Sequence, residues 1–213
     1  MAHQYDLSRI DHLIYGAPDL QTGIDLIQQK LGIVPASGGQ HPDFGTHNAL
    51  FRIGTGTYFE IIAPDPASAL PPERWWMGLA DLKAPGLIWW AAKATGLDRA
   101  RQLAQKAGWT IGQAVAGSRK TTDGTTLNWH LTDPFRVQEG GVLPFLIDWG
   151  NGTHPTDSMP ESGCELTSFQ LLHPRAEKIN TYLQSIGIQL EVKDHPIPGL
   201  RAGFATANGT IFI

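Results

Sequence analysis

A chain of 213 residues, 41% hydrophobic and only 17% charged, is long enough to bury about 70% of its unfolded surface around a sizeable core. Its 16 Lys+Arg against 20 Asp+Glu give a formal net charge of −4, and without a basic run it lacks the electrostatic footprint of a nucleic-acid binder. No apolar stretch reaches the ~18 residues of a membrane span, the start MAHQYDLSRIDHLIYG has no cationic-then-apolar order, and a single Cys164 makes neither an intrachain disulfide nor a thiolate cage, so a soluble, cytoplasmic protein is expected.

The first segment, IDHLIYGAPDLQTGIDLIQQKLGI, is an apolar run, a break at Pro18 and a helical pattern. Leu20, Ile24, Ile27 and Leu31 fall on one stripe, and Gly32 supplies the left-handed residue that ends a helix. Alternating runs at 47–53 and 58–63 flank the turn Gly54-Thr55-Gly56-Thr57. Pro64 to Pro85, with Trp75-Trp76, reads as an ordered excursion. The second segment, GLIWWAAKATGLDRARQLAQKAGWTI, breaks at Thr95-Gly96, carries Leu97, Ala100, Leu103, Ala104 and Ala107 on its stripe, and closes at Gly108. Runs at 125–131 and 142–148 follow, and Asn151 to Gly163 is a polar linker. The third, LTSFQLLHPRAEKINTYLQSIGIQL, breaks at Pro174, presents Ala176, Ile179, Leu183 and Ile186, and closes at Gly187. Runs at 200–206 and 210–213 then flank Asn208-Gly209, a strong hairpin signal. The same β-α-β-β-β order therefore occurs three times, over 8–66, 67–150 (with a Pro/Trp-rich approach at 67–85) and 164–213.

A unit carrying IDHLIYGAPDL and then GTHNALFRIGTGTYFEIIAPDP, with DGTTLNWHL and LPFLIDWGNGTHP further on, resembles the vicinal oxygen chelate superfamily and, within it, the glyoxalase-like domain family. The resemblance runs from about Ile10 to Ile213. It implies an α+β fold of three β-α-β-β-β units, the first two paired into a cup-shaped glyoxalase/dioxygenase-like barrel. The implied activities span lyases, isomerases, dioxygenases, epimerases and proteins that sequester a ligand, among which fold does not choose. In that superfamily metal ligands come from the first and last strands of each paired unit. On this resemblance His12 and Glu60 occupy the two positions of unit one. Aligning Ala94-Thr95-Gly96-Leu97 on Ala17-Pro18-Asp19-Leu20 puts Trp89 at the His12 position and Phe145 on or near the Glu60 position, while unit three offers Ser168 and Phe212. The implied cofactor is a divalent ion (Mn, Fe, Ni or Zn).

Strand alternation bears on the same residues independently. In 58–63, Phe59, Ile61 and Ala63 make an apolar face for the helix, so Glu60 points into the cup. His12 beside it makes either a divalent-metal pair or a neutral imidazole hydrogen-bonded to a partly buried carboxylate. A symmetric 54–57 turn pairs residue 51 with Glu60 and leaves His47 roughly 13 Å along the strand, too far to share an ion and suited to a substrate contact at the rim. His41, in a glycine-rich loop, is placed to cover the cup. His130 shares a face with Asn128, opposite Leu127, Trp129 and Leu131, and is a candidate third ligand across the units. Arg119, before a turn at Thr121-Thr122-Asp123-Gly124, is either a clamp for a substrate carboxylate or a solvated cation. Trp89, Trp90 and Trp129 form an aromatic wall for a planar ligand or belong to the core, and adjacent Trp89 and Trp90 must face opposite ways. Asp148-Trp149 and His154 follow the last strand of unit two, where the resemblance implies a role and packing at the strand end is the default reading, and Cys164 has no nucleophile signature.

These residues support a glyoxalase-like enzyme acting on a small oxygenated molecule, with His12 and Glu60 catalytic and His12, Glu60 and His130 around a metal. Two alternatives stay open: a non-catalytic binder of a small aromatic or hydrophobic ligand, and a metal-free enzyme with Glu60 as general base. The third unit has no evident internal partner, so a homodimer through it is expected.

Overall fold

The computed structural model describes residues 6–120 and 124–213, the Lys120 side chain excepted; Thr121, Thr122 and Asp123 of the expected turn lie outside the described residues. Strand β1 (Ile10–Gly16) leads into helix α1 (Leu20–Leu31). Asp19 caps that helix by accepting from the Thr22 amide at 2.8 Å, and Gly32, at φ 72°, ends it. Strands β2 (Ala36–His41), β3 (Thr46–Gly54) and β4 (Thr57–Pro64) complete the first unit. The second repeats the plan with β5 (Gly86–Lys93), α2 (Leu97–Lys106), β6 (Ala114–Lys120), β7 (Thr126–Thr132) and β8 (Phe145–Asp148).

Both units share one curled eight-stranded sheet, in the order β2-β3-β4-β1-β5-β8-β7-β6. Each half has its last strand parallel beside its first, and β1 runs antiparallel to β5. In that central ladder Leu13 lies opposite Trp90, His12 opposite Ala91 and Ile14 opposite Trp89. A twofold through the Leu13–Trp90 pair thus exchanges His12 with Trp89. Ile14 is beside Glu60 in one half, and its counterpart Ala91 is beside Phe145 in the other, so Phe145 is the counterpart of Glu60. Where the outer strands β2 and β6 come together, Arg119 Nη1 donates to the Gly38 carbonyl at 2.8 Å.

The third stretch contains β9 (Glu165–His173), α3 (Ala176–Ser185), β10 (Val192–Asp194), β11 (Gly199–Thr206) and β12 (Gly209–Phe212). The element order is the expected one, but the strand order is β10-β9-β11-β12. Here the strand after the helix, not the last strand, pairs parallel with the first. This sheet lies on the outside of the barrel. Phe169 meets Trp90 edge-on at 5.5 Å and Phe204 meets Phe59 at 5.8 Å, all four rings buried. The face expected to be open, and to seek a second copy of the chain, is therefore covered from within. The reason for expecting a homodimer through it is gone.

Candidate acid–base site inside the barrel

The barrel's inner face gathers its polar residues mainly from the first unit. His12 comes from β1, Asn48 from β3, Tyr58 and Glu60 from β4, and His41 from the end of β2. Arg119, Trp129, Phe145 and Trp149 supply the opposite wall. Between them is a cavity of about 20 Å³, room for about one water.

A bulge organises the site. The β1–β5 register slips between Ile10 and His12, so Asp11 is an extra residue, and a bulge re-aims the side chains around it. Its carboxylate, fully buried, lies against His12 Nδ1 at 2.7 Å, accepts from Trp149 Nε1 at 3.0 Å, and faces His154 Nε2 at 3.3 Å. His154 Nδ1 accepts the Thr156 amide, which puts its proton on Nε2, facing Asp11. Burial pushes the Asp11 carboxyl up, but hydrogen bonds from His12 and His154, helped by their charge, bring it down to about 2. An ionised Asp11 holds the proton of His12 on Nδ1 and turns Nε2 toward Glu60 Oε2, 3.5 Å away. His12 is stacked on Tyr58 at 4.4 Å, which locks the ring plane. Glu60 Oε1 accepts from Asn48 Nδ2 at 2.6 Å.

His41 is held differently. Its Nδ1 lies 3.0 Å from Thr46 Oγ1, which also accepts from Trp76 Nε1 at 2.7 Å. Burial first, and then the Arg119 charge, lower its pKa to about 3. A base whose folded pKa is depressed takes up its proton more readily when unfolded. Stability is therefore full above the ordinary His value of 6.5 and falls by about 1.4 kcal/mol per pH unit below it, towards pH 3. Urea unfolding at a series of pH values checks this, and His41→Gln is expected to flatten that limb.

The divalent ion implied by the superfamily resemblance does not fit these residues. His12 and Glu60 are two donors, and the twofold-related positions hold Trp89 and Phe145, whose rings meet edge-on at 4.9 Å. Among the described residues no group of three His, Cys, Asp or Glu side chains could surround an ion. His130 does not complete the set: Trp129 and Leu131 line the cavity, and alternation leaves His130 exposed on the other face of β7.

The remaining expected residues divide in the same way. His41 is a buried strand residue, not part of a covering loop, and Arg119 is buried, not solvated. Trp129 lines the cavity, whereas Trp89 lies behind Phe145 and Trp90 faces the third sheet. The indoles of Trp89 and Trp90 are tied to the carbonyls of Leu143 and Val142, which makes both core residues. His47 points outward to a groove beside Asp19 and Trp75 and does not reach the cup. Asp11 and Asn48 belong to the site without having been candidates, and Trp149 and His154, weighed above as packing at a strand end, join it through Asp11; the Asp-His pair inside an apolar strand was the available signal for Asp11.

A family model described as a glyoxalase-like domain matches residues 10–187. A hypothetical protein from Staphylococcus aureus superposes with a TM-score of 0.62 at 16% identity, over 95% of this chain and 83% of that one. Methylmalonyl-CoA epimerase from Mycobacterium tuberculosis gives a TM-score of 0.42 at 20% identity, over 70% of this chain and 91% of its own. A hypothetical protein from Bacillus halodurans gives 0.44 at 15%, over 68% and 96%. No curated protein matches. At these identities the structural likeness speaks for fold and not for substrate.

Proposed function

The chain belongs to the glyoxalase-like domain family, within the vicinal oxygen chelate superfamily, and from that premise we propose that it is an enzyme moving a proton on a small oxygenated organic molecule, with Glu60 and His12 as its acid–base pair. The observation that carries this reading is the buried line Asp11–His12–Glu60 opening on a cavity. Glu60 Oε2 takes the substrate proton and His12 Nε2 receives it from Glu60. Asp11 stabilises the imidazolium so formed, and Asn48 holds the other oxygen of Glu60 in place. Such positioned proton transfer contributes about 10²–10⁴-fold. The two-donor set gives no reason to route a step through a metal. A reducing, cytoplasmic compartment suits the free, buried Cys164.

A substrate larger than a water enters only when the plug moves. Trp76 and Met77, from the connection between β4 and β5, line the cavity. Trp76 is stacked on Phe44 at 4.1 Å, and Phe44 meets the exposed Phe135 at a tilt with ring centres 5.8 Å apart, which marks the outward side. Met77 sits at φ 59°, a left-handed conformation that costs a non-glycine residue about 1–3 kcal/mol, so the plug is held partly against its own backbone preference. Trp76→Ala is expected to raise ligand association rates about 10- to 100-fold, the inverse of a small open population, as stopped-flow tryptophan fluorescence would read.

The test is EDTA-treated protein in D₂O with 2-hydroxy, 2-oxo and 3-oxo compounds, followed by proton NMR. Exchange or conversion that persists in chelator and vanishes in Glu60→Gln supports the reading. Turnover that appears only when a divalent metal is restored would overturn it. A second reading, a non-catalytic binder of a small aromatic or hydrophobic molecule, draws support from the aromatic substitutions Trp89 and Phe145 and the Trp129–Trp149 wall. It predicts fluorescence quenching by such ligands without exchange.

A further inference from the structure

Among the described residues Arg119 is the lysine or arginine that lines this cavity. It is 8% exposed, and among the described residues no carboxylate lies within ion-pair distance of it. Its bond to the Gly38 carbonyl uses one donor of the guanidinium fork. A buried guanidinium without a counter-ion is costly unless an anion arrives to pair with it.

A second donor lies close by and is also unspent. Trp129 is 5% exposed, and its Nε1 is buried with no acceptor. A Cβ on Gly117 would fall 2.4 Å from that nitrogen, so the indole N–H lies over Gly117. Gly117 is two residues from Arg119 on the same strand, hence on the same face and roughly 7 Å along it. Both residues, one charged and one with an unspent N–H, line the same cavity as Glu60 and His12.

We propose that the cavity binds a small carboxylate, its oxygens held by the Arg119 guanidinium and the Trp129 indole N–H, so that the carbon beside the carboxylate faces Glu60 and His12. Only that last clause rests on the acid–base reading; the anion site stands on Arg119 and Trp129 alone. Arg119 supplies the planar fork that matches a carboxylate, and the indole adds a fixed neutral donor. The ligand is small because the cavity that Trp76 and Met77 help to close is only about 20 Å³.

The full-length chain, ¹⁵N-labelled and treated with EDTA, has indole N–H signals from seven tryptophans, and Trp129→Phe identifies the one from Trp129. Titration with sodium acetate and sodium pyruvate at constant ionic strength is expected to move that signal saturably, while acetamide and sodium chloride do not. Arg119→Met is expected to weaken carboxylate binding at least about tenfold, with Arg119→Lys intermediate. If Arg119→Met does not fold, Arg119→Lys and calorimetry on Trp129→Phe carry the comparison. A Trp129 signal that stays still, that moves equally with acetamide or chloride, or that responds normally in folded Arg119→Met overturns the proposal. Glu60→Gln separates the two ideas, since it should abolish exchange yet still bind acetate. Carboxylate binding with no turnover of any compound sinks the acid–base reading alone, and exchange on uncharged ketones without carboxylate binding sinks the anion site alone.

Discussion

Glu60→Gln is expected to lower proton exchange by about 10²–10⁴-fold, the usual contribution of a positioned general base. The substitution is nearly isosteric. The carbonyl of the new side-chain amide still accepts from Asn48 Nδ2, and its nitrogen still faces His12 Nε2, so the folded structure and ligand affinity should be kept. Loss of kcat with KM almost unchanged is the signature of a group that acts in the transition state. Exchange rates of wild type and variant, measured by NMR in D₂O beside matched thermal melts, decide it. A variant within about threefold of wild type would remove Glu60 from the chemistry. His12→Gln should fall less far, because Glu60 keeps its reach to the substrate and loses only the group that takes the proton onward.

How much of this site could be read in advance depended on single-residue slips in the sheet. Alternation along 58–63 placed Glu60 inward, and the repeat placed Trp89 and Phe145 at the counterparts of His12 and Glu60, as the ladder has them. On β3 the same logic failed. A symmetric turn pairs residue 51 with Glu60, but the register slips between Arg52 and Gly54, and Leu50 takes that place. A slip of one residue exchanges the two faces, which brings Asn48 into the site and sends His47 out. The bulge at Asp11 works the same way, setting two consecutive residues to one task. The edge strands β2 and β6 were harder still, since ASGGQH and AVAGSRK read as loops. Their glycines are there for close approach: a Cβ on Gly38 would fall 2.1 Å from Asn48 Oδ1, as one on Gly117 would crowd Trp129. His41 was consequently placed in a covering loop, and Arg119 was left open between a carboxylate clamp and a solvated cation, although both are buried and line the cavity.

Removing Asp11 should have the largest effect on stability. Its carboxylate serves His12 Nδ1, Trp149 Nε1 and His154 Nε2 together. Asp11→Ala leaves these donors buried or half-buried without an acceptor, and breaking one side of such a buried arrangement costs about 3–5 kcal/mol. Asp11→Asn keeps one oxygen and loses the charge, and a cost of about 1–3 kcal/mol is expected. Urea unfolding at pH 7 measures both. The ionised group also has a pH signature. Its carboxyl is lowered from 3.8 to about 2 on folding, so its contribution is complete above the unfolded value and is lost as the pH falls from about 4 to 2, about 2 kcal/mol in all. That window lies below most of the His41 limb, so the comparison is made in a His41→Gln background, where Asp11→Asn should reduce the remaining acid dependence, to which Asp19 and His173 also contribute, by about 2 kcal/mol. Unfolding curves that stay parallel down to pH 2 would mean that Asp11 is not the buried anion organising His12, and the acid–base reading would lose its anchor with it.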